Sequence, residues 1–314
     1  MKKVLKKLLI VLIILFLILV YARYVGTMGL DTKEYAITST NLPDNFDGIK
    51  IVHFSDLHYN RAINKSKVKS IIDEINLINP DIVVFTGDLI DKDATLTDND
   101  YNDLTNLLMK ITARYGKYAI MGNHDYIKDK EKVVTVYNES NFNYLDNDYD
   151  IIYGKDNQKM FIGGINTVSY GQDDIAKTLN YLNEADDIGY RIVLVHEPDI
   201  SSKIVKDYSV NLILAGHSHN GQVRLPIIGP IYTPPHAKKY YDNYYDINGT
   251  SLYVSSGIGV SMVNYRLWNH PSINFYRLNK EVSEWDFLFF YSTVTDLAKF
   301  LGLSISHLLY LATW

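Results

Sequence analysis

Five short clusters in the sequence carry side chains that can bind metals: Ser55-Asp56-Leu57-His58, Gly87-Asp88-Leu89-Ile90-Asp91, Gly122-Asn123-His124-Asp125, His196-Glu197-Pro198 and Gly216-His217-Ser218-His219. From them Asp56, His58, Asp88, Asn123, His196, His217 and His219 supply two carboxylates, one amide and four imidazoles. Such a mixed oxygen and nitrogen set suits borderline divalent ions such as Mn, Fe, Co or Zn and disfavours an all-oxygen magnesium or calcium cage. One ion cannot take all these ligands and keep a position open for catalysis, whereas two ions sharing a carboxylate can. Two divalent ions offset by Asp56, Asp88 and a bridging hydroxide retain positive charge, which attracts and polarises a phosphoryl oxygen. They also lower the pKa of bound water from about 15.7 toward about 7.

The elements that must position these clusters are legible as an alternation, from about Lys50 onward, of short β-branched runs with amphipathic segments, the pattern of an α/β fold. Strands are expected at Ile51–Phe54, Ile82–Phe85, Tyr118–Met121, Met160–Ile162, Ile192–Val195, Leu212–Leu214 and Leu252–Val254. Between the first two, Lys67–Ile78 places Val68, Ile71, Ile72, Ile75 and Ile78 on one helical face, with Ser66 as N-cap and Asn79-Pro80-Asp81 as the stop. Tyr101–Ala113 and Asp173–Leu182 read as further helices. Residues 224–245, with Pro226, Pro230, Pro234, Pro235 and many tyrosines, are too irregular for a core element. No internal repeat or low-complexity tract is evident. Each metal-binding cluster directly follows an apolar run, and ligands in open α/β sheets bind outside the carboxyl ends of strands, so the clusters are expected to meet on one rim.

In this order, Asp-x-His, Gly-Asp-x-x-Asp, Gly-Asn-His-Asp, a lone His and Gly-His-x-His resemble the calcineurin-like metallophosphoesterase superfamily, over roughly Leu42 to Leu278. Residues 216–226 and the ending Ser255-Ser256-Gly257-Ile258-Gly259 with Arg266 are similar to its bacterial membrane-associated, phosphodiesterase-like branch. The resemblance implies a four-layer α/β/β/α sandwich of two packed mixed sheets flanked by helices. It implies that Asp56, His58 and His219 hold one metal, that Asn123, His196 and His217 hold the other, and that Asp88 bridges. It further implies that His124 protonates the leaving oxygen or steadies the transition state, oriented by Asp91. The residues themselves agree about His124: a histidine directly after a ligand in a tight turn can face the substrate, and a carboxylate partner fixes its tautomer and favours its protonated form. The expected reaction is in-line attack on phosphorus by the bridging hydroxide, with the metals (Mn, Fe or Zn) clamping the phosphoryl oxygens. Arg224 is a candidate phosphate contact. Lys92 and Asp125 stand where the superfamily's protein phosphatases have Arg and Glu, which argues against that activity.

Composition narrows the partners. Asp and Glu number 36 against 31 Lys and Arg, a net charge of −5, so no bulk positive field exists to hold nucleic acid, and none is expected as partner. The absence of cysteine removes disulfides, zinc ribbons and thiol catalysis. Lys2, Lys3, Lys6 and Lys7 precede the apolar run Leu8–Ala22, closed by Arg23. No small-x-small cleavage site follows, so the run reads as an uncleaved single-pass anchor with its N-terminus in the cytoplasm and the catalytic domain outside. Residues 1–30 are thus expected to form the anchor, 31–279 the catalytic domain, and 280–314 an extension that is either a membrane-surface helix or non-native.

Three functions compete. The first is a hydrolase of phosphate esters in or near the membrane, with a lipid or cell-envelope polymer as substrate. The second is a tethered phosphodiesterase for a soluble nucleotide or glycerophosphodiester. The third is a metal-stabilised binding module without catalysis, against which His124 argues. Among the remaining histidines, His53 reads as a packed or rim residue, and His236, His270 and His307 as surface residues. Arg266 is either structural or a contact at the site's rim.

Overall fold

The computed structural model describes residues 2–185 and 187–281; the expectations for His307 and most of the C-terminal extension lie outside them. The N-terminal apolar run is helix α1, Lys2–Val20, continued by a π-helical turn, Tyr21–Val25. No residue of α1 is buried. Lys2–Val25 is the one helix among the described residues long and apolar enough to cross a membrane, a property shared by anchors and signal sequences.

The chain then runs β1 (Asp31–Ser39), β2 (Lys50–Phe54), α2 (Lys65–Ile78), β3 (Ile82–Phe85), α3 (Asp98–Leu108), β4 (Gly116–Ala119), α4 (Asn123–Glu139) and β5 (Asn143–Tyr144). It continues through β6 (Asp148–Tyr153), β7 (Lys159–Gly164), α5 (Ile175–Leu179), β8 (Tyr190–Val195), α6 (Ser201–Asp207) and β9 (Leu212–Ala215). The last elements are β10 (Arg224–Leu225), β11 (Gly229–Pro230), β12 (Tyr244–Ile247), β13 (Thr250–Val254) and β14 (Ser272–Lys280). Two six-stranded mixed sheets result, ordered β1-β14-β2-β3-β4-β5 and β12-β13-β9-β8-β7-β6, with β10 and β11 forming a separate hairpin.

Period-two side-chain alternation explains why the runs are apolar throughout yet serve two cores. Ile51 of β2, Ile82 and Val84 of β3, Ile192 and Leu194 of β8, and Leu212 and Leu214 of β9 meet in one cluster between the sheets. Their neighbours Val52, Phe54, Val83 and Phe85 face the other way, onto α2, α3 and α4. Val193, Val195, Ile213 and Ala215 do the same on the second sheet, packing with Leu179 of α5 and Ile204 of α6. The architecture is therefore four layers, helices outside and sheets within, as the resemblance implied. Each such buried aliphatic contributes about 1.5–3 kcal/mol.

The sequence reading slipped mainly at element ends. Helix α2 starts at Lys65 because Asn64, not Ser66, accepts from Lys67 N at 3.0 Å. A Thr97/Asp100 capping box starts α3 at Asp98, and it stops at Leu108. The expected Asp173–Leu182 helix is a short α5 capped by Asp174, followed by a 3-10 turn, Asn180–Asn183. Strand β4 lies two residues earlier than expected, at Gly116–Ala119, because the chain leaves the ladder before the turn at Gly122. Residues 122–125 are not a free-standing tight turn but the start of α4, with Gly122 as N-cap.

His53 is a packed residue between the sheets: Nε2 lies 2.8 Å from Thr86 Oγ1 and Nδ1 3.3 Å from Tyr276 Oη. Burial pushes its pKa down to about 3, whereas the unfolded chain protonates it near about 6.5. The unfolded state binds more protons between these values, so His53 costs stability progressively as pH falls through that window. Guanidinium unfolding in detergent at about pH 6.5 and about pH 4 should show that His53→Gln loses ~3 kcal/mol less than the wild type. Equal losses would show that His53 is not the acid-sensitive group.

Candidate metal centre

Parallel pairing aligns the carboxyl ends of β2, β3 and β4, with Phe54 opposite Phe85 and Phe85 opposite Ala119, and those of β8 and β9, with Val195 opposite Ala215. The clusters emerge from these ends and cross-link. Asp56 N donates to Gly87 O (2.9 Å) and His58 N to Asp88 O (3.0 Å). His124 N donates to Asp88 Oδ1 (2.8 Å). The second sheet joins through His217 N to Asp56 Oδ1 (3.0 Å) and His196 Nδ1 to Thr86 O (2.7 Å).

The local backbone is strained for this purpose. Asp56, His58, Asp88, His217 and His219 all adopt positive φ, between 45° and 65°, which costs roughly 1–3 kcal/mol for each non-glycine residue and persists where the surroundings impose it. Gly122 is required by close approach, because a Cβ there would fall 2.1 Å from Asp88 Oδ1.

Three groups of ligand atoms converge within metal-binding distance: Asp56, His58 and His219; Asp56, Asp88 and His196; and His58, Asp91 and His124. Bond lengths of about 2.0–2.1 Å to a tetrahedral ion place ligand atoms about 3.3 Å apart. Here His58 Nε2 and His219 Nε2 are 3.1 Å apart, and His219 Nε2 and Asp56 Oδ1 are 3.5 Å apart. His196 Nε2 lies 3.2 Å from Asn123 Oδ1 and 3.4 Å from Asp88 Oδ2, while Asp88 Oδ2 is 3.6 Å from His58 Nε2. Asp88 thus stands between two imidazoles of different groups. His217 packs edge-on to His196, with ring centroids 5.0 Å apart, and directs Nε2 to Pro235 O at 2.9 Å, leaving Nδ1 free to serve as a donor atom. The spacing and chemistry of the Asp56, His58, Asp88, Asn123, His196 and His219 atoms fit divalent ions, whereas His217 lies outside the three convergent groups.

The electrostatics agree. Burial opposes charge on Asp88, but the nearby His196 and His124 charges outweigh it and hold the carboxyl well below its usual range. Burial lowers the pKa of His217, as does His196, and it drives His219 well down with help from His58 and Arg266. Both rings therefore stay neutral, as a metal ligand requires. His124 behaves oppositely: burial disfavours its charge, yet Asp88 and Asp91 raise its pKa.

Asp91 is shared. Its Oδ2 lies 3.6 Å from His124 Nδ1 and 3.4 Å from His58 Nδ1, and its Oδ1 accepts from Arg61 at 3.1 Å. Lys92 N–H also donates to His124 Nδ1, at 3.3 Å, a bond that the ring gives up when Nδ1 takes a proton. Arg224, by contrast, is not among these groups. Its guanidinium binds Asp242 Oδ1 (2.7 Å) and Asn220 O (2.7 Å), lining a cleft of about 600 Å³ together with Tyr21 and Trp268.

Several contributors went unforeseen. Arg61 follows His58 by three residues in no motif that would mark it. Asp125 accepts from Gly122 N and Ile90 N (3.1 and 3.0 Å), and burial beside Asp88 pushes it up to about 7; its helix-start position was a readable signal. Arg266, left as structural or rim-lying, is both. It is buried and donates to Ser256 O (2.8 Å), Gly257 O (2.9 Å) and Gly259 O (2.6 Å), and Nη2 lies 3.2 Å from His219 Nδ1.

Residues 49–221 match the calcineurin-like phosphoesterase family, and the chain belongs to that family of phosphoric ester hydrolases. It is 37% identical over 259 residues to the uncharacterized metallophosphoesterase YkuE of Bacillus subtilis, covering 82% of this chain and 88% of that one. It is 27% identical over 277 residues to YkoQ of the same organism (83% and 97% covered). Identity to the phosphodiesterase YaeI of Escherichia coli is 27% over 240 residues (75% and 84% covered).

Replacing Gly122 by Ala tests the convergence. The new methyl must displace Asp88, so Gly122→Ala should retain its circular dichroism spectrum but bind less metal after dialysis against Mn or Zn, read by elemental analysis. Unchanged metal content would show that Asp88 does not depend on this approach.

Proposed function

We propose that the chain is a two-metal phosphoesterase acting on a phosphate ester of the membrane or cell envelope. The observation that carries this reading is the position of Asp88 Oδ2 between His58 and His196, beside a His124 held toward its protonated form. Asp56, His58 and His219 would hold one ion, Asn123, His196 and His217 the other, with Asp88 shared; Mn, Fe and Zn all accept these donors. When bound, such a pair supplies Lewis acidity and water of lowered pKa.

The chain's own residues do the rest. His124 carries a proton to the leaving oxygen, and Asp91, touching both His124 and His58, keeps the ring oriented and charged. Arg61 holds Asp91 from behind. Arg224 can contact a phosphate once its guanidinium exchanges Asp242 for the substrate. The apolar helix is an anchor that remains attached. In support, Arg266 N donates to Ala22 O at 2.8 Å, and a Cβ on Gly26 would fall 1.9 Å from Arg266 O, so the segment after the helix is packed into the domain. The basic residues Lys2, Lys3, Lys6 and Lys7 before the helix support an orientation with the N-terminus in the cytoplasm and the catalytic domain outside.

A soluble diester is the second reading, and the name of the relative YaeI, a phosphodiesterase, supports testing diesters first. The full chain in detergent, stripped of metal and reloaded with Mn, Zn or Fe, should hydrolyse a chromogenic diester or monoester. His124→Ala should lower kcat by about 10²–10⁴-fold at unchanged metal content. Metal binding without turnover on these or on lipid diesters would favour the non-catalytic binding module.

A further inference from the structure

The metal centre and the apolar helix emerge at the same end of the molecule. Strand β1 starts at Asp31, just after the helix, opposite Ser272 at the start of β14. Because β14 runs antiparallel to β2, that end is also the carboxyl end of β2, where Asp56 and His58 lie.

Two apolar segments project beside this junction. One is the β10–β11 hairpin, whose tip carries Ile227 and Ile228, 107% and 76% exposed, followed by Ile231. The other is the loop 262–268, where Met262, Val263 and Trp268 are exposed. They form one surface: Arg224 N donates to Leu267 O (3.0 Å), and Gln222 Nε2 donates to Val263 O (2.8 Å) and Tyr265 O (3.0 Å). The same loop is fastened to the end of the apolar helix through Arg266 N and Ala22 O.

Scattered exposed aliphatics need no explanation, but a contiguous patch does. Ile227, Met262 and Trp268 also hold positive φ, at 69°, 55° and 48°. A β-branched or bulky residue rarely adopts that conformation. Strain that holds large apolar side chains mostly exposed calls for a partner outside the fold. Isoleucine at a protruding tip with Tyr and Trp at its flanks is the composition of a membrane-interface contact, and the same loop is tied to the end of the one helix among the described residues long and apolar enough to enter a bilayer.

We propose that the hairpin tip and the 262–268 loop insert into the bilayer interface beside α1. They thereby hold the rim carrying the metal centre against the membrane, so that its substrate is a phosphate ester of a lipid presented at that surface. The docking rests on the observations above together with the anchor reading of α1, and the naming of the substrate rests on the phosphoesterase reading. The loop also touches the site, since Met262 O accepts from the Arg61 that holds Asp91, and the hairpin directly follows the His219 turn.

The chain has no cysteine, so Ile228→Cys and Val263→Cys each carry one thiol for an environment-sensitive fluorophore. Leu77→Cys, 79% exposed near the end of α2 that runs back from the rim, is the control. In phosphatidylglycerol/phosphatidylcholine vesicles, labels at 228 and 263 should shift to the blue and be quenched by shallow doxyl lipids, while the label at 77 is not. Labels at 228 and 263 that behave as at 77 would overturn the proposal. So would a blue shift without doxyl quenching, which would put protein over the patch, either a second copy or residues 282–314. Ile228→Asp should keep its rate on a soluble chromogenic diester and lose about tenfold on a vesicle phospholipid diester. Embedded labels with no hydrolysis of any ester would support the docking while removing the phosphoesterase reading.

Discussion

The carboxylate of Asp56 is the constraint on which the rest of the structure depends. It sits at the end of β2 in one sheet and accepts the backbone N–H of His217 from the other, at 3.0 and 3.2 Å. Its own N–H is tied to Gly87 O. Together with His196 Nδ1 on Thr86 O, this bond locks the two sheets in register at one rim, where His217 and His219 turn close to Asp56 with positive φ. Aliphatic packing alone is non-directional and tolerant of sliding. A charged hydrogen bond inside a low-dielectric rim is neither.

How much of this was legible depended on whether a feature is local in sequence. Strands β2, β3, β8 and β9 were legible because they are buried on both faces and read as short, mostly apolar runs. Strand β1 was not, since it lies at a sheet edge with Thr32, Glu34 and Ala36 exposed and only Ile37 buried. Helix α4 was hidden because its apolar side, Val133, Val136 and Tyr137, begins only beyond a kink at Asp129. At the site, the candidate ligands were legible as motifs, while Arg61 and Glu197 act through partners far away in sequence. Glu197 is buried, and accepts from Ser169 Oγ at 2.6 Å and Val168 N at 3.0 Å. Nothing near Glu197 in sequence distinguishes such a carboxylate from an exposed one.

Arg266 links three levels of the molecule. Its guanidinium gathers the carbonyls of Ser256, Gly257 and Gly259 and reaches His219, and its backbone N–H holds Ala22 at the foot of the apolar helix. Among the described residues no carboxylate forms a salt bridge with it; burial lowers its pKa to about 9, with Asp56 opposing. A lone buried cation is costly, and here the cost is offset by carbonyl dipoles arranged as a cradle. The attachment of the helix to the domain and the orientation of His219 are consequently properties of one residue.

The same electrostatic logic connects metal content to folding. Asp56 and Asp88 are buried, and Asp88 is kept ionised mainly by imidazolium charge from His196 and His124. That arrangement asks His196 to hold a proton in a buried position, against its own desolvation. Divalent ions would replace the borrowed protons with a charge that does not titrate, so that metal binding and proton release become a single linked equilibrium. Because the donor atoms converge only when both sheets are assembled, any affinity for the ions adds to the stability of the folded chain over the unfolded one. With ions bound, the strained backbone at Asp56, His58 and Asp88 would be sustained from two sides, by sheet packing beneath it and by coordination above it.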